Sequence, residues 1–541
     1  MWQQDYAPVA HSVGFSATLA ALPMLVLLYM LAIRRKAAWI SAVASLGAAI
    51  LVALLVYRMP PIRLASSATF GMAFGLLPIG WITFNALLLY RLTLETGQFE
   101  VIKRSLSALT GDRRCQALLI AFAFGAFIEG AAGSGVPVAV CAAMLAGMGF
   151  DRLKAAGICL LANTAPVVFG AIGLPIITLA KTTDLPIASL SATVGRISAP
   201  LSLCVPAYMV VMMAGRKGLR GALPAAVTCG LSFAIVHVAV SNLIGPELAD
   251  ILAALAAIAS LVVLLRAWRP GGDRVAVPGG APDEQPARIG LPTEIRAWLP
   301  YLLLAVCVLC WGTPAVKAVL LKTSILIKWP ALHQFVLRTP PVVAVAAPYD
   351  AVYSFDWLAS PGTACLIASL LAAAFAGVSP ARFARVFAGN LRVMFLPLVT
   401  IASILSLAFL MNYSGATSTL GLAFASTGAL FPFFSPILGW LGVFLTGSDA
   451  SSNALFGNLQ VTAARQIGLN PVLTASANTV GGAMGKMISV QSIAVAAAAA
   501  GMKPAEESSL FRFTFWHSVL LVSVVGVITT ICAYAIPWIV R

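Results

Sequence analysis

Fourteen apolar stretches, most of them long enough to cross a bilayer, follow one another along the 541 residues with few charges inside them. A helix of about 20 apolar residues spans the hydrocarbon layer, so this succession sets the fold class before any single residue is considered. The stretches lie near residues 12–33, 38–57, 70–94, 116–149, 155–180, 197–214, 221–242 and 247–266, and again near 297–312, 357–377, 386–412, 432–467, 472–502 and 513–538. Residues 268–296 separate the two sets: the run WRPGGDRVAVPGGAPDEQPARIGLPTE is rich in Pro and Gly and reads as a cytoplasmic linker between an N-terminal half, 1–267, and a C-terminal half, 297–541. With 60% apolar and 10% charged residues, the chain is neither a soluble globular protein nor a single-span receptor. A net charge of +16 in a soluble chain would raise nucleic acid as a partner, but here membrane topology accounts for it and no nucleic acid is expected. The N-terminus, MWQQDYAPVAHS, lacks the basic region and small-residue cleavage site of a signal peptide and is expected to stay in the mature protein.

The positions of Lys and Arg set the sides. Arg34, Arg35 and Lys36 after the first stretch place the N-terminus outside, because cytoplasmic loops carry the basic excess. The alternation continues only if residues 116–149 enter and leave on one side, since Arg113 and Arg114 precede them and Arg152 and Lys154 follow. This stretch is therefore expected to be a re-entrant hairpin. A second hairpin, 432–467, enters from the opposite face, leaving twelve crossings with 22 of the 34 basic residues inside and 10 outside. The expected architecture is all-α and polytopic, with about 12 transmembrane helices plus two re-entrant hairpins.

The two hairpins match in sequence. GAFIEGAAGSGVPV from Gly125 aligns with GVFLTGSDASSNAL from Gly442 at an offset of 317, ANTAPVVFG from Ala162 with ANTVGGAMG from Ala477 at 315, and Gly97 with Gly415 at 318. Each hairpin is followed by a stretch expected to be a broken helix, near 155–180 and 472–502. Because the hairpins enter from opposite sides, the match reads as an inverted repeat. Inverted repeats whose interrupted helices meet near the midplane are a recurring design of secondary transporters, since exchanging the conformations of the halves exposes one site to each side in turn. Close helix packing alone would explain the Gly, Ala and Ser, but not buried acids or paired Asn-Thr dipeptides.

Glu129 and Asp449 are the acids inside the hairpins. An ionised group there costs about 2.5–3.5 kcal/mol on insertion scales unless water, a partner or a proton relieves it, so both are candidates for proton coupling. Glu129 lies beside Gly130, Gly133, Ser134 and Gly135, a run that permits unwound backbone in otherwise apolar surroundings. Asp449 lies among Thr446, Ser448, Ser451, Ser452 and Asn453, where it either stays ionised in a polar nest or caps a half-helix. Lys486 follows GGAMG at a depth where lysine needs an anionic partner; it either grips a substrate carboxylate or pairs with Asp449. Asn163, Thr164, Asn478 and Thr479 are expected to end half-helices or flank their gaps, where free N–H groups and a positive dipole end suit a small carboxylate. His237 reads as a core residue rather than a proton relay, because nothing in the repeat points to it. The nine cysteines lie in or beside apolar runs; no disulfide framework follows, and Cys307 and Cys310 lack the further ligands a metal site requires. These residues describe a carrier for a small anionic solute, with neither metal nor cofactor. A monoanion moving into a negative interior climbs about 2.3 kcal/mol per 100 mV, and one co-transported proton removes that cost.

At these residues the sequence resembles the bacterial L-lactate permease family. The likeness runs over nearly the whole chain through MWQQDYAP, GAFIEGAAGSGVPVA, ANTAPVVFGAIGLPI, FFSPILGWLGVFLTGSDASSNALF, ANTVGGAMGKMIS and FRFT. The resemblance implies uptake of L-lactate, with D-lactate and glycolate as further substrates, in symport with protons by alternating access. A more distant kinship to divalent-anion symporters implies a scaffold, a sliding transport domain and a homodimer. Where many members are expected to carry an aromatic in EGAAGxG, this chain has Ser134, whose hydroxyl favours a smaller or more polar hydroxy acid. Two other readings stand beside this one: a sodium-coupled carboxylate transporter, with hairpin carbonyls as ligands, and a membrane-embedded hydrolase. Against the hydrolase, Asp449 is preceded by Thr446, Gly447 and Ser448 rather than Gly-x-Gly, no HExxH or GxSxG site stands out, and the chain has four His.

Overall fold

The computed structural model of the protein describes residues 1–133, 135–268, 270, 290–503 and 506–540. Most of the Pro/Gly-rich linker, and the candidate Ser134, lie outside the described residues. Twelve of the described helices are long and apolar enough to cross a membrane. The protein is a multi-pass membrane protein, and its exposed apolar side chains, such as Leu51, Ile235, Val263, Phe375 and Phe395, belong to a lipid-facing surface.

Those twelve helices are not one for one the expected crossings. Ile187–Leu243 is continuous but turns at Gly215, whose φ of +69° only glycine adopts readily. Its arms, 187–214 and 216–243, fold back on each other. Ser191 Oγ donates to the Ser241 carbonyl at 2.7 Å, and a Cβ on Gly230 would lie 2.4 Å from the Leu203 carbonyl oxygen. This one element therefore supplies the two expected stretches 197–214 and 221–242. The stretch near 357–377 becomes a shorter helix, Pro361–Phe375, N-capped by Ser360, whose hydroxyl accepts from the Gly362 N–H.

Both expected hairpins form helix–turn–helix units. The first runs from Arg113 to Ala131, breaks at 132–135, and continues as Val136–Gly147; Gly133 and Gly135 carry φ of +58° and +79° across the break. The second is Phe431–Thr446, a left-handed turn at Gly447, and Asp449–Gln466. Gly97 and Gly415, matched by the repeat, both terminate long helices in left-handed conformations, φ +73° and +89°.

The two stretches after the hairpins are both interrupted, but at different places relative to the matched Asn-Thr dipeptides. Helix Arg152–Ala162 ends at Asn163, and the chain passes through a 3₁₀ turn and three successive left-handed residues, Ala171, Ile172 and Gly173, before continuing helically to Thr183. The second stretch is one unbroken helix, Pro471–Lys486, followed by a short break and Val490–Ala499. Asn478 and Thr479 therefore neither end a half-helix nor flank a gap. The physical reason is packing: Gly439, Gly481 and Gly485 let helices Phe431–Thr446 and Pro471–Lys486 press backbone to backbone, and a Cβ on Gly439 would fall 1.9 Å from the Asn478 carbonyl oxygen. That crossing supports a continuous helix, whereas no such seam is formed by Asn163.

Packing interleaves the halves. Helices Ala38–Leu55 and Pro61–Phe74 pack on Pro380–Ser414, and a Cβ on Gly71 would lie 2.3 Å from the Leu405 carbonyl oxygen. The segment after Gly312 adds two small sheets that the apolar pattern does not foretell. Ile325–Lys328 pairs antiparallel with Val352–Phe355, and Val336–Arg338 pairs with Ala347–Pro348 and, in parallel, with Trp2–Gln3. Gln4 Nε2 donates to the carbonyls of Asn412 and Tyr413, tying the N-terminus to the end of Pro380–Ser414.

Candidate functional site

The central contact is an ion pair across the two halves. Lys486 Nζ donates to Glu129 Oε1 at 2.7 Å, and the side chains are 10% and 3% exposed. Glu129 sits in the last turn of Gly125–Ala131, and Lys486 is the last residue of Pro471–Lys486, so each helix end delivers one charge. Gly170 makes room: a Cβ there would be 2.6 Å from Glu129 Oε1. The other carboxylate oxygen, Oε2, is buried without a hydrogen-bond partner. Of the two sequence readings for Lys486, pairing with Asp449 is not what forms, and the surroundings of Glu129 are not wholly apolar. Removing one member of a buried pair typically costs about 3–5 kcal/mol, since it strands the other charge.

Asp449 lies close by, within Coulombic range of both Lys486 and Glu129. It stands over Gly482, where a Cβ would be 2.3 Å from Oδ1, and neither of its oxygens has a hydrogen-bond partner. The polar nest expected around it is spent on local structure instead. Ser448 caps its helix by accepting from the Ser451 N–H, Thr446 donates to the Gly442 carbonyl at 2.8 Å, and Ser452 donates to the Gly439 carbonyl at 3.1 Å. A hydroxyl bonded to its own helix is satisfied without a ligand.

Asn453, Asn478 and Thr479 come together in one hydrogen-bonded group. Asn478 Nδ2 and Thr479 Oγ1 donate to Asn453 Oδ1 at 2.9 and 3.0 Å, and Gln460 Nε2 donates to Asn478 Oδ1 at 3.1 Å. Asn453 Nδ2 in turn donates to the Pro175 carbonyl at 3.0 Å, joining the second hairpin to the broken stretch of the first repeat. Gln460 escapes notice in the sequence because a polar residue in a helix has no signature until its partner is known. On the first side, Thr164 Oγ1 bonds back to the Leu161 carbonyl, while Asn163 is buried with neither amide atom partnered. Gly130 packs on Asp250 and Ile251, Gly133 on Ala171, and Gly135 starts the second limb.

Asp250 and His237 form a further buried pair. Nε2 of His237 is 3.2 Å from Oδ1 of Asp250, at 0% and 1% exposure, although the alignment falls short of a hydrogen bond and all four polar atoms lack one. Asp250 also senses the charges of Glu129 and Lys486. The sequence analysis does not single out Asp250, which stands near the start of an apolar stretch, and only the fold shows that it is covered.

A cavity of about 830 Å³ opens beside this cluster. Its walls include Phe74, Lys181, Asp184, Glu247, Lys317, Arg338 and Tyr413, and among the described residues none of those expected from sequence to bind solute lines it. It reaches Ile177, two residues beyond the Pro175 carbonyl that Asn453 holds. Pro175 and Ile177 thus connect the polar cluster and the cavity wall along one helix, Gly170–Thr183. The cluster carries the candidate chemistry, because there Glu129 and Lys486, buried charges from the two repeats, meet with Asp449 in their field.

Comparison with known proteins agrees with this architecture. The model of the family described as L-lactate permease matches residues 16–536. The L-lactate permease of Salmonella typhi is 44% identical, with 100% of both chains covered. Glycolate permease GlcA of Escherichia coli (strain K12) is also 44% identical, with 98% of each chain covered. Among solved structures, the Alcanivorax borkumensis YdaH transporter aligns over 96% of this chain and 98% of its own at 14% identity with a TM-score of 0.45, too distant for a helix-by-helix comparison. With a family match across nearly its whole length and relatives at this identity from end to end, the chain belongs to the L-lactate permease family.

Proposed function

We propose that the protein imports L-lactate, and also D-lactate and glycolate, in symport with protons by alternating access. The names of its relatives support the substrate class, and the Glu129–Lys486 pair carries the coupling. With Glu129 ionised, Lys486 is neutralised within the protein and the empty site holds no net charge. A proton on Glu129 frees Lys486 to bind a substrate carboxylate, and the loaded site is again neutral. The two incomplete states, protonated but empty or anion-bound but unprotonated, place one net charge in low dielectric and are disfavoured. Proton and anion therefore move together. Asn163, with its free amide, is the proposed donor or acceptor for the 2-hydroxyl, and Asn453, Asn478 and Thr479 hold the framework beside it. Asp449 is a second proton-holding group in the field of the same lysine.

The binding site and the cavity do not coincide, so substrate gains access when the broken stretch Asn163–Gly173 shifts between them. Each hairpin is proposed to open the site to one side in turn, which is the motion an inverted repeat makes available.

Proteoliposome uptake tests the reading. Glu129→Gln should abolish accumulation of labelled L-lactate driven by an imposed pH gradient while leaving measurable exchange at equal pH. Lys486→Ala should raise the half-saturation concentration. Gradient-driven accumulation by Glu129→Gln at the wild-type level would remove Glu129 from the coupling step.

A further inference from the structure

We infer that Glu247, Asp250 and His237 form the route by which protons reach Glu129 from the outer cavity, an inference that rests on the proton-coupled reading above. The route starts at a wall of that cavity, where Glu247 lies within Coulombic range of Lys317. Lys181, Lys317 and Arg338 line the same cavity and fall on the side that the distribution of basic residues places outside. Three residues further on, in the first turn of Ala249–Ala267, Asp250 is buried beneath this surface. It faces His237 from arm 216–243, and from the first hairpin it meets Gly130, the residue next to Glu129. The charged groups around Asp250 are His237, Glu129 and Lys486, the last two delivered by the helices that close the candidate site.

The local packing favours transfer over a static role. A Cβ on Gly130 would come within 2.9 Å of Asp250 Cβ and 3.0 Å of the Ile251 nitrogen, so glycine at this position brings the acid against the turn that carries Glu129. Phe169 and Phe233 hold the His237 ring, one edge-on at 4.9 Å and one stacked at 5.2 Å, which fixes the imidazole without occupying either nitrogen. Burying a carboxyl and an imidazole with no hydrogen bond to either is costly for a purely structural pair. A pair that takes up and releases a proton needs free positions of this kind. One proton leaves cavity water for the Glu247 carboxylate, is carried by water across the three-residue interval to the Asp250–His237 pair, and is taken by Glu129. Each carrier returns to its starting state, and no electrons move.

The test uses the full-length protein in right-side-out membrane vesicles, with internal pH fixed, external pH varied, and labelled L-lactate as the probe. Asp250→Asn and His237→Gln are expected to lower initial uptake at least tenfold and to flatten its dependence on external pH, while exchange at equal pH falls much less because it needs no net proton movement. Glu247→Gln, at the cavity wall, is expected to slow initial uptake severalfold, and it decides the matter if the two buried variants fail to reach the membrane. The route is overturned if Asp250→Asn, present at the wild-type amount, keeps the wild-type rate and pH profile, or if Glu247→Gln leaves both unchanged. The failure of the underlying reading looks different: wild-type uptake would then ignore the imposed gradient altogether.

Discussion

Asn163–Thr164 and Asn478–Thr479 occupy matched positions in the two copies of the repeat, yet their surroundings are opposite. The first dipeptide ends a helix and opens a stretch with three left-handed residues, and the Asn163 amide has no partner. The second lies within an unbroken helix, where Asn478 both donates to Asn453 and accepts from Gln460. The same two residue types thus form an open polar end in one copy and a closed polar frame in the other. Under the proposed function, the bonded copy would hold one side of the site while the unpartnered amide of the other engages solute, a difference by which a bound ligand can distinguish two conformations of the protein.

The largest expected effect comes from breaking the rigid side. Gly481 meets the Pro436 backbone so closely that a Cβ would fall 2.0 Å from its carbonyl oxygen. Gly481→Val should therefore separate helices Phe431–Thr446 and Pro471–Lys486, and size-exclusion chromatography of the detergent-solubilised protein should recover almost no monodisperse material. The equivalent contrast between the asparagines is finer. Asn478→Ala removes two buried hydrogen bonds at about 1 kcal/mol each, although Asn453 Oδ1 keeps Thr479 and Gln460 Nε2 keeps the Ser435 carbonyl, and a lower thermal midpoint should follow. Asn163→Ala removes an amide that bonds to nothing in the protein, so stability should stay within about 0.5 kcal/mol of wild type and the midpoint hold or rise, while the half-saturation concentration for lactate increases. Equal loss of stability in both variants would erase the distinction between frame and open end.

The charged residues show how much of this was legible in the sequence. Counting along the repeat, Glu129 aligns with Thr446 and Lys486 with Ala171, so each copy places a charge where its counterpart is neutral. The fold then joins the two charges at 2.7 Å. Glu129, Asp449, Lys486 and the Asn-Thr dipeptides could be selected from sequence because a charge or a repeated amide inside an apolar stretch is costly to bury without a partner or a ligand. Their pairing could not, because burial and partner choice depend on how helices cross. The same limit applies to Asp250 and His237: one stands at the edge of its stretch and the other is single, and only the approach of Gly130 makes them neighbours of Glu129. The hairpins and long helices were legible from hydropathy and the positions of Lys and Arg. The small sheets at 325–355 were not, because their strands are short and take their partners from as far away as Trp2.

The smallest effect sharpens a further difference between the hairpins, at their bases. The first hairpin is pinned by Asp112, which accepts from the N–H groups of Arg114 and Cys115 and pairs with Arg114 Nη2 at 2.7 Å; the helix starting at Phe431 has no side-chain cap. Partial burial pushes the Asp112 carboxyl up, but the Arg114 guanidinium and the two N–H groups more than offset this and hold it below the usual carboxylate range. A carboxyl held low in the folded state contributes stability above its unfolded value of about 4, and that contribution is lost as pH falls through the folded value. Asp112→Asn should therefore lower stability by about 1 kcal/mol at neutral pH, the usual scale for weakening a cap. The gap in thermal midpoint between variant and wild type should hold above about pH 5 and close below about pH 4, since the protonated wild-type side chain then resembles the amide. A gap of the same size at low pH would mean that Asp112 holds the hairpin by its shape rather than its charge, and that the two hairpin bases differ less than their caps suggest.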